Sequence, residues 1–144
     1  MKKVLVSILV LLVLIQFIRP EKNNLEDLKN DISNEFKIPN EVQEIIKTSC
    51  ADCHSNTTKY PWYSEIAPVS WYLALHVNDG KEHLNFSEWM AYNKHQKEHI
   101  ISDLEEVMES HKMPLGSYLL LHEDAKMTNE QYIVFLDWVK TLKK

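Results

Sequence analysis

Cys50-Ala51-Asp52-Cys53-His54 spells C-x-x-C-H, and the spacing is chemically restrictive. Two cysteine sulfurs a few residues apart on one turn of chain can add across the two vinyl groups of one porphyrin. The histidine directly after the second cysteine is then carried under the iron, where its imidazole can act as proximal ligand. This is the attachment signature of a c-type haem. The residues therefore assign one covalent haem c, with thioethers at Cys50 and Cys53 and with His54 on the metal.

Two other chemistries use the same pair of cysteines. A redox dithiol usually sits beside a βαβ pattern, and no stretch of this chain reads as a strand. Zinc is the stronger rival, because Cys50 and Cys53 could join His95 and His99, spaced H-x-x-x-H on a predicted helix. Finger-type sites put roughly 12 to 15 residues between the two pairs, whereas 41 residues separate Cys53 from His95. Haem is the better reading.

The chain around the motif has 144 residues, 44% of them hydrophobic, which is room for one domain and an appendage. Its only two cysteines lie in the motif, so no disulfide framework holds the fold. The net charge is -5; Lys2, Lys3 and Arg19 with no acid in residues 1–20 leave -8 on residues 21–144. Arg19 is the only arginine. An acidic domain without the bidentate phosphate-gripping side chain does not suit nucleic acid.

Residues 4–18, VLVSILVLLVLIQFI, form an apolar run behind Lys2-Lys3. As a helix it reaches about 22 Å, short of the roughly 30 Å hydrocarbon core, with flanking cations able to extend it. No small-x-small cleavage site follows, so residues 1–20 are expected to be an uncleaved N-terminal transmembrane or signal-anchor helix, with a cleaved signal as the alternative. Both place the rest of the chain on the periplasmic, extracytoplasmic side of the inner membrane, where bacteria attach c-type haem. Residues 21–39 turn polar and read as a tether, although Leu25, Leu28, Ile32 and Phe36 fall at helical spacing.

Residues 40–144 form the expected haem-binding domain. Asn40 and Gln43 read as a capping-box pair opening a short amphipathic helix that delivers Cys50. After the motif, Pro68 suits the start of a helix to about Val77, closed by Asn78-Asp79-Gly80. Tyr60, Trp62, Tyr63, Trp71 and Tyr72 crowd this region, and Tyr60, Trp62 and Trp71 are candidate walls and polar partners for a porphyrin. Ser87 is expected to cap a short helix through Trp89 and Met90. A longer amphipathic helix follows from about His95 to His111, with His95 and His99 on its solvated face. Thr128 and Gln131 read as a capping box for a last helix. Between these helices, Pro114 breaks the chain and holds Met113 in an extended loop, from which its thioether can approach the iron opposite His54. His76, His111 and His122 are the competing distal ligands.

The order of parts resembles class I cytochrome c. It resembles more closely a bacterial family of small, N-terminally anchored haem-binding domain proteins. The shared segments are C-x-x-C-H-S-N, Tyr60 to Tyr63, Ile66 to Trp71, His76-Val77 before Gly80, and Leu84-Asn85-Phe86-Ser87-x-Trp89. Met113-Pro114, Tyr118, Leu121-His122 and Trp138 complete the likeness, which covers roughly residues 40–140. It implies an all-α, cytochrome c-like domain around one covalently attached haem.

With His54 and Met113 (the metal ligands) filling both axial sites, the expected function is one-electron transfer with a basic redox partner protein, not enzymatic catalysis. The alternative is a haem-based sensor or peroxidase-like protein with a weak or histidine distal ligand. Lys81 and the missing arginines depart from the pattern and leave the haem propionates without an assigned counter-charge.

Overall fold

The computed structural model describes residues 1–25 and 27–143, and they form an all-helical chain. Helix α1 spans Lys2–Ile15. The helices that follow are α2 (Asn40–Ile45), α3 (Ala51–His54), α4 (Val69–His83), α5 (Lys94–Glu109), α6 (Gly116–Leu119) and α7 (Asn129–Thr141). Short 3-10 turns lie between them, and Asn24 and Thr57 make one isolated antiparallel bridge.

Two capping boxes set the scaffold. Asn93 and Gln96 cap each other's backbone at the start of α5, and Thr128 and Gln131 do so at α7. The two helices pack together. Ile100, Ile101 and Met108 of α5 and Phe135, Trp138 and Val139 of α7 are buried, and Val42 and Ile45 of α2 join them. Phe135 and Trp138 meet edge to face at 5.3 Å.

The N-terminal membrane helix expected from the apolar run is not found. Helix α1 has 14 residues, and among the described residues no helix is long and apolar enough to cross a membrane. Gln16 supplies the physical reason. Its side-chain amide donates to the Ala67 carbonyl and accepts from the Ala67 N–H, both at 3.0 Å. The Trp71 indole then donates to the Ile18 carbonyl at 2.7 Å. The chain therefore leaves the helix at Gln16 and turns along the domain, so Phe17 and Ile18 add nothing to α1.

The described part of residues 21–39 is docked, not a free tether. Leu25 and Thr58 exchange backbone bonds with Asn56 and Asn23, and Met90 N–H reaches the Asn30 carbonyl. Of the four residues at helical spacing, Ile32 is buried and Phe36 packs on Trp89 at 5.9 Å, while Leu25 and Leu28 stay exposed. The segment forms a 3-10 turn, Ile32–Asn34, capped by Asp31. Its polar composition hid two anchors: the Trp89 indole donates to Glu35 at 2.9 Å, and Lys97 pairs with the same carboxylate.

Candidate functional site

Helix α2 runs into a wider π turn, Ile46–Cys50, before α3 begins. Such turns insert one residue into the helical ladder and are frequent at functional sites. Here the backbone bends at Cys50 (φ -124, ψ -40), and α3 is the single turn that carries Cys53 and His54.

His54 is oriented from behind. Its Nδ1 lies 3.0 Å from the Leu84 carbonyl. A carbonyl only accepts, so Nδ1 carries the proton and Nε2 keeps its lone pair. Burial holds the imidazole below its ordinary pKa, against the pull of the Leu84 and Gly80 backbone, so the ring is the neutral form a metal needs. A carbonyl partner on the second nitrogen is the arrangement that orients ligating histidines.

The Leu84 carbonyl is itself fixed by a buried polar network. Asn85 donates to Asn56 at 2.8 Å, Asn56 donates to Glu88 at 2.8 Å, and Asn56 N–H donates to Ser87 Oγ at 3.1 Å. Two sequence segments thus meet in space: Ser55-Asn56 after the motif, and Leu84 to Trp89. No periodicity in either signals that contact.

Helix α4 closes on the same turn. A Cβ added at Gly80 would stand 2.7 Å from the Cys53 carbonyl oxygen and 3.0 Å from Cys53 Cβ. Only glycine permits that approach. The expected helix stop at Asn78-Asp79-Gly80 is therefore the middle of a contact, and α4 continues to His83.

Cys50, His54, Met113 and Pro114 line one cavity of about 370 Å³. Its remaining walls are chiefly Leu84, Phe86, Ile100, Leu104, Met127 and Phe135. His83, which the sequence reading passed over, lines the mouth with Asp79, Asp103 and Glu106. The His83 proton is favoured by the Asp79 carbonyl and by the carboxylates of Asp79, Glu82 and Asp103. Cys53 lies on the other side of α3 and lines a second cavity of about 150 Å³ with Tyr63, His76, Tyr118 and His122.

Both thiols are half-buried and protonated at neutral pH. Burial and the neighbouring Cys53 push Cys50 up to about 12; burial and Asp52 push Cys53 up to about 11. Neither is the low-pKa thiolate that dithiol redox chemistry uses. His95 and His99 stay on the solvent side of α5, with His99 paired to Asp103 at 2.9 Å. Among the described residues no cluster of three or more His, Cys, Asp or Glu is placed to hold a metal ion.

A family model described as a haem-binding domain matches residues 10–141. The chain belongs to the haem-binding domain family. No curated protein and no solved structure matches it. The domain binds haem and its iron, and the cavity lined by Cys50, His54 and Met113 fits that group: apolar walls, a neutral imidazole with a free lone pair, and a thioether at one site.

Within the haem-binding domain the structure brings together Cys50, His54 and Met113, with Cys53 one turn away. It does not bring the aromatic candidates there. Tyr60 accepts from Asn23 N–H at 2.7 Å and lines a separate pocket beside Gln16 and Arg19. Trp71 binds the Ile18 carbonyl, and Trp62 is 77% exposed. The chain turns away after the motif, so Tyr60 and Trp71 hold the N-terminal segment while Phe86 and Phe135 serve the cavity. His76 and His122 face the second cavity, where His122 accepts from the Tyr63 hydroxyl at 3.0 Å. His111 stacks on Tyr132 at 4.0 Å.

Proposed function

We propose that the protein is a monohaem c-type cytochrome that passes single electrons. Its haem is joined through Cys50 and Cys53 and ligated by His54 and Met113. The observation that carries this reading is the convergence of a tautomer-fixed imidazole, a thioether and a motif cysteine on one apolar cavity. Bound haem supplies a one-electron iron couple. His54 and Met113 would both hold the iron, which would leave no open site for a substrate and would favour transfer over catalysis. The apolar walls keep water from the metal and, with methionine opposite histidine, raise the reduction potential.

Asp79, Asp103 and Glu106 at the mouth, with no lysine or arginine among the described residues lining it, favour a basic redox partner. Thioether attachment belongs to the extracytoplasmic side of the bacterial membrane, and we place the domain there. The test is a spectrum. Holoprotein from a host able to attach c-type haem should keep its colour through acid–organic extraction, and Cys50→Ser with Cys53→Ser should release it. Met113→Ala should remove the near-infrared band of methionine on ferric iron and lower the potential. Extractable haem in the wild type would defeat the covalent reading, and an unchanged spectrum in Met113→Ala would defeat the ligation.

A further inference from the structure

The loop that carries Met113 has little regular structure and is nonetheless closely held. Helix α5 ends in a Schellman arrangement: Lys112 N–H reaches the Val107 carbonyl at 3.2 Å, and His111 N–H reaches that of Met108 at 3.3 Å. His111 takes the left-handed position, φ 51, which glycine usually fills. Its imidazole lies on the Tyr132 ring of α7, with centroids 4.0 Å apart and planes at 14°. The Tyr132 hydroxyl donates to the backbone carbonyl of Met113 at 2.8 Å.

The far end of the loop is tied to the opposite wall. Tyr118 of α6 donates its hydroxyl to Asp52 at 2.7 Å. Asp52 lies between the two motif cysteines, and its other oxygen accepts from Lys59 N–H at 3.1 Å. The turn that presents His54 and the loop that presents Met113 are thus joined through one carboxylate.

We propose that Tyr132 and Tyr118 are positioning residues that hold Met113 within reach of the iron. Tyr132 fixes the methionine's own backbone, and Tyr118 anchors its loop to the motif turn. The inference rests on the His54/Met113 ligation proposed above. A neutral thioether binds ferric iron weakly, so freedom of the loop competes directly with the bond. Removing one hydrogen bond that forms only in the closed loop raises the open fraction by roughly three- to tenfold. An exogenous ligand that needs the open form then binds tighter by the same factor.

The experiment is a titration of the ferric holoprotein with imidazole, followed in the visible spectrum, for the wild type and for Tyr132→Phe, Tyr118→Phe, Tyr72→Phe and Met113→Ala. Phenylalanine keeps each ring and its packing. Tyr132→Phe and Tyr118→Phe should each bind imidazole roughly three- to tenfold tighter. Tyr72→Phe should match the wild type, because that hydroxyl has no partner among the described residues. Met113→Ala should bind tightest, and adding Tyr132→Phe to it should change nothing further. Wild-type affinity in both tyrosine variants, with Met113→Ala still tighter, overturns the clamp and leaves the ligation standing. A tyrosine effect of full size in the Met113→Ala background also overturns it, because the hydroxyl would then act elsewhere. Met113→Ala binding no tighter than the wild type overturns the ligation and the clamp together.

Discussion

The two walls of the cavity are built differently. The His54 wall is a helical turn backed by α4 and by Asn56, Asn85 and Ser87, which are buried and hydrogen-bonded to one another. The Met113 wall is a loop between α5 and α6, held by tyrosine hydroxyls at its two ends. Buried polar groups left unpaired cost more than the bonds they make, so opening the first wall is costly. The second can open locally. Under the proposed ligation, one ligand is held by a buried network and the other by two tyrosine hydroxyls.

The largest expected effect tests how closed the rigid wall is. In haem-free protein at pH 8, alkylation should be slower than for unfolded chain by on the order of 100-fold at Cys50 and Cys53, because burial raises both thiols and leaves little thiolate. Rates measured by mass spectrometry in the presence and absence of urea decide this. Equal rates would mean that the turn is open and the comparison between walls is lost.

Next in size, Asn85→Ala strands the Asn56 side-chain oxygen Oδ1 and the Ser87 N–H. It should cost about 2–3 kcal/mol of stability in urea titrations. A loss below about 0.5 kcal/mol would show that the network does not brace His54.

Acid gives a smaller and directional effect. The folded pKa of His54 is below its unfolded value of 6.5, so the unfolded chain binds the extra proton. The His54 share of the haem-free protein's stability should be complete above 6.5 and fall as pH drops below it, while His83, whose proton the fold favours, acts in the opposite direction, so the difference between wild type and His54→Asn isolates the His54 share. A pH dependence unchanged by the substitution would assign it to other groups. Smallest of all, Tyr63→Phe removes a hydroxyl that faces only His122 in the second cavity. It should cost about 1 kcal/mol or less and leave the visible and near-infrared spectra unaltered. A spectral change would mean that the second cavity belongs to the site.

What sequence could supply follows from how local each feature is. The motif, the Thr128–Gln131 cap and the apolar stripes of α5 and α7 are written in neighbouring residues, and they were legible. The Asn93–Gln96 box was equally local, and it starts α5 at Lys94, one residue before the expected His95. Asn40 proved to be the first helical residue, with Pro39 in the cap position and no side-chain bond. The long-range pairings could not be read. Nothing in Leu84 announces that its carbonyl orients a histidine 30 residues earlier. Gly80 resembled a helix terminator because a close approach and a turn ask for the same residue. The aromatic cluster at 60–72 misled for a related reason: composition shows that rings are present, while the direction of the chain after His54 decides which surface receives them.

The contact between Gly80 and Cys53 also sets an order of events in the life of the chain. With α4 seated, its backbone stands against the very residue that has to be alkylated, and the thiols are shielded and protonated. Under the covalent reading, Cys53 is most open to attachment while α4 is still away from the motif. Haem loading is therefore favoured before the fold closes, and a chain that closes first hinders its own maturation.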